Sequence, residues 1–277
     1  MRHELETTGP VTVAAKMRSS ALVVSVSQEE ASQVVVDVHP QRGGEDIAAQ
    51  TRVELVGDRL EIVVPKSSAS IFRPSGSVLV TATVPLGSSL EVDTGSGALR
   101  THGPLARAEV KSGSGDVAID QAEEVRVSAG SGDVVVEHGA TVRAGSGSGD
   151  VRVGRATVSA EVRTGSGDIS LGQAADLSAV TGSGDVVVDD VDGQVTITTG
   201  SGDVLLRRVA QGEVQAKAAS GDVVVGVAAG TAALLDCSSV SGRVTTDLAS
   251  GDAPTEDEKH VVLRLRSVSG DVRVQRG

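Results

Sequence analysis

The sequence predicts an all-β protein: a single-stranded β-solenoid (β-helix) with about 17–18 residues per coil, preceded by an irregular N-terminal β-sheet cap. Three observations predict it. The chain has 277 residues but no Trp, no Tyr and a single Phe, Phe72. A core of this size normally uses large aromatics to fill irregular space, so one built from Val, Ile, Leu and Ala must be narrow and regular. A Ser-Gly-Asp-Val anchor recurs at nearly constant spacing. On both sides of that anchor, apolar residues fall two apart, which is the period of a strand.

The anchor glycines are Gly97, Gly115, Gly132, Gly149, Gly167, Gly184, Gly202, Gly221, Gly242 and Gly270. Their successive differences are 18, 17, 17, 18, 17, 18, 19, 21 and 28, the last interval carrying an insertion, Leu248 to His260. Seven and five residues before each glycine stand apolar pairs such as Leu177 and Ala179, or Val195 and Ile197. Two and four after stand pairs such as Val186 and Val188, with Thr101 and Thr246 as exceptions. Each coil therefore has one strand before the Gly-Asp turn and one after it. Small residues seven after the glycine (Ala122, Gly139, Ala156, Ala174, Ala228) mark a tight corner. One coil cannot bury its apolar face alone, but stacked coils make a continuous core.

A turn repeated in every coil suggests φ > 0, which glycine adopts readily. The aspartates that follow, Asp116 through Asp222 and Asp271, stack at rung spacing. Unpaired neighbours about 4.8 Å apart repel by about 0.9 kcal/mol in water. Asx-turn hydrogen bonds to backbone N–H groups would offset this.

Residues 1–88 lack the anchor but stay strand-like over 11–15, 21–27, 33–38, 51–56, 59–64 and 77–84. Gly57-Asp58 reads as a hairpin turn, 45–50 as a short helix, and 65–76 as a loop. The domain reading is a β-rich capping segment at 1–88 and a solenoid at 89–277 with the insertion at 248–260. The cap would cover the strand edge of the first coil.

The repeated Gly-Ser-Gly-Asp, as in Thr164-Gly165-Ser166-Gly167-Asp168-Ile169 and Thr199-Gly200-Ser201-Gly202-Asp203-Val204, resembles the bacterial putative-adhesin family of β-strand-repeat proteins. This is a domain of unknown function common in actinobacteria. Gln50-Thr51-Arg52-Val53-Glu54 and Asp58-Arg59-Leu60-Glu61-Ile62 resemble the N-terminal part of its members. The resemblance covers nearly the whole chain and implies a β-helical fold. It carries over no activity, substrate or catalytic residue.

Charge and motifs narrow the function. The net charge of −12 repels phosphate backbones and anionic lipid, so no nucleic acid and no membrane partner is expected. The N-terminus lacks an apolar signal core, which suggests a cytoplasmic protein. His3, His39, His102, His138 and His260 are scattered, with no metal-ligand spacing and no nucleophile elbow nearby, so no catalytic residue, metal or cofactor is assigned. A calcium ladder fits the coil length, since two nine-residue repeats make 18, but not the motif, in which Asp directly follows Gly once per coil. Cys237 lies on the inward ladder, as a buried structural thiol would.

Two surfaces are candidates. Three residues after the anchors, Val135, Val187, Leu205 and Val224 point outward, and the last three would form an apolar stripe. It serves either an unknown protein partner or a segment of this chain folded over it. The chain ends on the anchor and strand of a coil, residues 269–277, so Val272 and Val274 are the candidate self-association edge of a homo-oligomer formed through the C-terminal coil. The functional reading is a non-catalytic scaffold or protein-binding module that self-associates. The alternative is a surface adhesin exported by an unrecognised route; a carbohydrate-active β-helix enzyme is remote.

Overall fold

The computed structural model describes residues 1–27, 32–41, 43–65, 76–249 and 259–277. Phe72, most of the 65–76 loop and most of the 248–260 insertion lie outside the described residues. The chain divides into two units, 1–139 and 140–277.

The first unit contains β1 (Arg2–Glu6), β2 (Thr12–Met17), β3 (Ala21–Val26), β4 (Gln33–Gln41), α1 (Glu45–Gln50), β5 (Arg52–Val56), β6 (Arg59–Val63), β7 (Ser77–Val84), β8 (Ser89–Thr94), β9 (Leu99–His102), β10 (Pro104–Ser112) and β11 (Val117–Ala129). β12 (Val134–Ser146) begins in it. Strands stack in two columns. In one, parallel pairing aligns Leu60, Val13, Leu90, Ala108 and Val125. All five are fully buried. In the other, Leu22 lies beside Leu99, and Leu99 beside Val117.

The order of coils differs from the order of the sequence. The coil β2/β3 sits between β6/β7 on one side and β8/β9 on the other. Residues 1–88 are thus only partly a cap. Two of their strand pairs are coils in register with the repeat, although they lack the Gly-Asp anchor. The cap proper is antiparallel: β5 on β6, β4 on β7 and β1 on β4. Gly57, at φ 63, makes the β5–β6 hairpin turn as expected. Helix α1 covers the same end with Ile47 and Ala48.

The second unit holds the rest of β12, then β13 (Val151–Thr164), β14 (Ile169–Thr181), β15 (Val186–Val191), β16 (Gln194–Ser201), β17 (Val204–Val209), β18 (Gly212–Ser220), β19 (Val223–Val227), β20 (Ala232–Ser239), β21 (Val244–Thr246), β22 (His260–Ser269) and β23 (Val272–Arg276). Its pre-turn column runs Leu177, Val195, Val214, Leu263, Leu235. Its post-turn column runs Val186, Val204, Val223, Val272, Val244. Again the order is interleaved. The last coil in sequence, β22/β23, lies between β18/β19 and β20/β21.

This corrects the edge assignment. Val272 and Val274 are 0% and 1% exposed because β19 flanks them on one side and β21 on the other. Among the described residues, the outermost coil of this unit is β20/β21, where Val244 is 47% exposed. Each fully buried Val or Leu contributes roughly 1.5–3 kcal/mol, so the best apolar rung gains most from an inner place.

Candidate functional site: the outward face of the stacked turns

The anchor turns are held by two kinds of inter-coil hydrogen bond. In the first, the carboxylate of an anchor aspartate accepts the backbone N–H of the aspartate in the next coil. Oδ1 of Asp168, Asp185, Asp203 and Asp222 accepts from Asp185, Asp203, Asp222 and Asp271 at 2.9, 2.8, 2.8 and 2.7 Å. The offset to carboxylate repulsion therefore runs between coils rather than within a turn. Charge-assisted bonds of this kind are shorter and stronger than neutral ones. At the top of the series Asp271 accepts the Arg243 N–H at 2.9 Å, and that bond, with the Arg243 guanidinium, holds its carboxyl below the usual range.

The second kind lies inside the turn. Thr164 Oγ1 donates to the Gly149 carbonyl of the preceding coil at 3.1 Å and accepts the Gly167 N–H at 3.0 Å. Thr181 does the same with Gly167 and Gly184. Their hydroxyls give these turn amides and carbonyls partners in the interior. Sequence reasoning missed these residues, yet a signal was present. Three before the anchor glycine stands Ser or Thr in eight of the ten repeats.

The reason for glycine at the anchor also differs from the expectation. Of the ten, only Gly221 and Gly270 have positive φ. What nine of the ten share is close approach to the neighbouring coil's backbone: a Cβ on Gly184 would fall 1.9 Å from the Gly167 carbonyl oxygen, and one on Gly202 2.1 Å from that of Gly184.

Those turns set the outward residues in register. Val187 lies beside Leu205, Leu205 beside Val224, and Val224 beside Arg273. All three apolar side chains are half-buried, packed by their own neighbours and open outward. Ser170 precedes them in the column and Thr245 follows Arg273. The exposed row Asp185, Asp203, Asp222 borders the stripe on the turn side. On its other side Asp189 and Arg207 form an ion pair at 3.3 Å. Val135 is also half-buried but belongs to the first unit, so the structure groups only three of the four candidate residues.

The remaining candidates stay apart. The histidines stand on five different strands, β1, β4, β9, β12 and β22. Among the described residues no three metal-capable side chains gather. Cys237 does point inward, but from the outermost coil it is only half-buried; what burial it has raises its thiol pKa.

Parallel coils tied turn to turn define a β-solenoid of Gly-Asp-anchored repeats. The chain belongs to the Toastrack DUF4097 family, whose match spans residues 16–275. No curated protein matches it. Among solved structures, a putative lipid binding protein from Parabacteroides distasonis is similar with TM-score 0.52 at 18% identity, over 80% of this chain and 93% of that one. A putative adhesin from Bacteroides fragilis is similar at 13% identity and TM-score 0.41, over 100% of this chain and 96% of that one. The first likeness shows the shared fold.

Proposed function

We propose that the protein is a non-catalytic scaffold that binds a protein partner along the stripe of the second unit. The observation that carries this reading is the in-register outward row Val187, Leu205 and Val224, bordered by the carboxylates of Asp185, Asp203 and Asp222. Apolar side chains at outward positions of consecutive coils cost solubility unless something uses them. The acidic border specifies the partner's chemistry: an apolar strip flanked by Lys or Arg. Such a border steers encounter and excludes acidic competitors, while the apolar row supplies affinity.

The test is capture from host lysate by the native protein and two variants. Leu205→Glu places a charge in the middle of the stripe. Val158→Glu places the same charge at a 56% exposed site elsewhere in the unit. Val158→Glu should melt close to the parent, since surface substitutions usually stay within about 0.5 kcal/mol; Leu205→Glu, at a half-buried site, should melt somewhat lower, so capture is run well below both melting points. The expected result is a captured protein that Leu205→Glu loses, by tenfold or more (about 1.4 kcal/mol), and Val158→Glu keeps. A captured set unchanged by Leu205→Glu contradicts the stripe as the binding face.

A further inference from the structure

The outermost coil of the second unit presents a strand edge whose residues are self-complementary. Among the described residues, β20 is paired with β22 alone. Ala232 and Val240 donate their N–H groups toward that neighbour, to Lys259 and Ser267. A parallel ladder alternates sides, so Ala233, Leu235, Cys237 and Ser239 direct their N–H and C=O groups to the open side. Unpaired edge groups of this kind are a template for another strand. Beside them two large apolar side chains stand in solvent: Leu234 is 67% exposed and Val240 78%.

We infer that this edge pairs with the same edge of a second copy, antiparallel, about a two-fold axis passing through Cys237. An axis perpendicular to the stack sets β20 against β20 and β21 against β21, so the cores of the two copies meet. Residues with open-side N–H and C=O groups must then face each other, because in an antiparallel pair they exchange both bonds. Centring on Cys237 satisfies this: Leu235 faces Ser239 of the second copy, and Cys237 faces Cys237. The outward side chains discriminate between registers. With the axis at Cys237, Leu234 meets Val240 of the second copy on both sides of the axis, and Asp236 meets Ser238. An axis at Asp236 would set two carboxylates directly opposite each other, which is destabilising. The isologous contact closes at two copies and does not propagate. It is separate from the outer stripe and holds whether or not that stripe binds a partner.

The test is light scattering against protein concentration at low and high salt, with maleimide labelling of Cys237 in parallel. The expected result is a monomer–dimer equilibrium that strengthens with salt, because salt screens the repulsion of two copies of charge −12. Labelling of Cys237 should slow over the same concentration range. Leu234→Arg with Val240→Arg should weaken the dimer by about tenfold or more and restore labelling. Both sites are exposed, so the variant keeps its fold. A monomer at all concentrations and salts overturns the inference, as does a dimer indifferent to these substitutions or one that leaves Cys237 labelling unchanged.

Discussion

Replacing Val186 with Asp is expected to cost about 4–5 kcal/mol, enough to unfold a protein of ordinary stability. Val186 is fully buried on the post-turn ladder, between Ile169 and Val204. Its neighbours are apolar side chains from the coils on either side and offer no donor to a carboxylate. The group must either stay charged in a dry interior or take up a proton far above its usual pKa. Thr198→Asp is the control. Thr198 is exposed on the pre-turn strand β16, one residue from fully buried Ile197, so a shift of one position separates the two outcomes. Its cost should stay within about 0.5 kcal/mol. Chemical denaturation with the slope compared across variants measures both. A larger loss for Thr198→Asp than for Val186→Asp would mean that the inward and outward sets are exchanged, as a slip of one residue does, and equal losses would equally contradict the assigned register.

Gly184→Ala is expected to cost about 3 kcal/mol or more although it adds a single methyl group. The new Cβ would meet the Gly167 carbonyl oxygen at 1.9 Å, and that oxygen is backbone held in its own coil. Relief requires the two turns to separate. That strains the Thr181 bridge to the Gly167 carbonyl and the bond from the Asp185 N–H to Asp168. Gly57→Ala is the informative contrast. Gly57 has φ 63 and nothing within 4 Å of an added Cβ, so only backbone strain opposes the change. That strain is worth about 1–2 kcal/mol. If the anchor glycines served mainly to supply an unusual φ, Gly57→Ala would be the costlier variant. Thermal melts of the two, side by side, decide between close packing and backbone conformation.

These contrasts show what the sequence reveals and what it withholds. Inward positions such as Val186, Val204 and Val223 were legible because period-two alternation and a fixed distance from the glycine define a face. The outward stripe was legible for the same reason. The order of stacking was not. Every coil offers the same two strand edges, so the repeat identifies rungs without saying which rung is the neighbour of which. Connecting segments decide that, and the longest intervals fall where the interleaving occurs. From Gly242 to Gly270 the chain advances 28 residues, long enough to step back over a coil. A second clue lay in side chains. The inner coil carries Leu263, Leu265, Val272 and Val274 inward, whereas the outermost carries Leu235, Cys237, Val244 and Thr246. The Cys and Thr tolerate partial hydration, and that fits them to an end. In the first unit β2/β3 was unreadable as a coil because it lacks the anchor. Its turn is tied to the neighbouring coil β6/β7 instead, through Ser20, whose buried hydroxyl accepts the Val78 N–H at 3.2 Å.

The interleaved order decides which edge is open and which core residues meet solvent. Hydrogen exchange tests it most directly. Amide protection reports local opening, which is cheapest at uncovered ends. The structure places β22/β23 between two coils and β20/β21 outside them. In dilute protein, peptides covering 232–246 should therefore take up deuterium well before peptides covering 260–276. Sequential stacking makes 260–276 the outermost coil, and faster exchange there than in 232–246 would contradict the interleaved order.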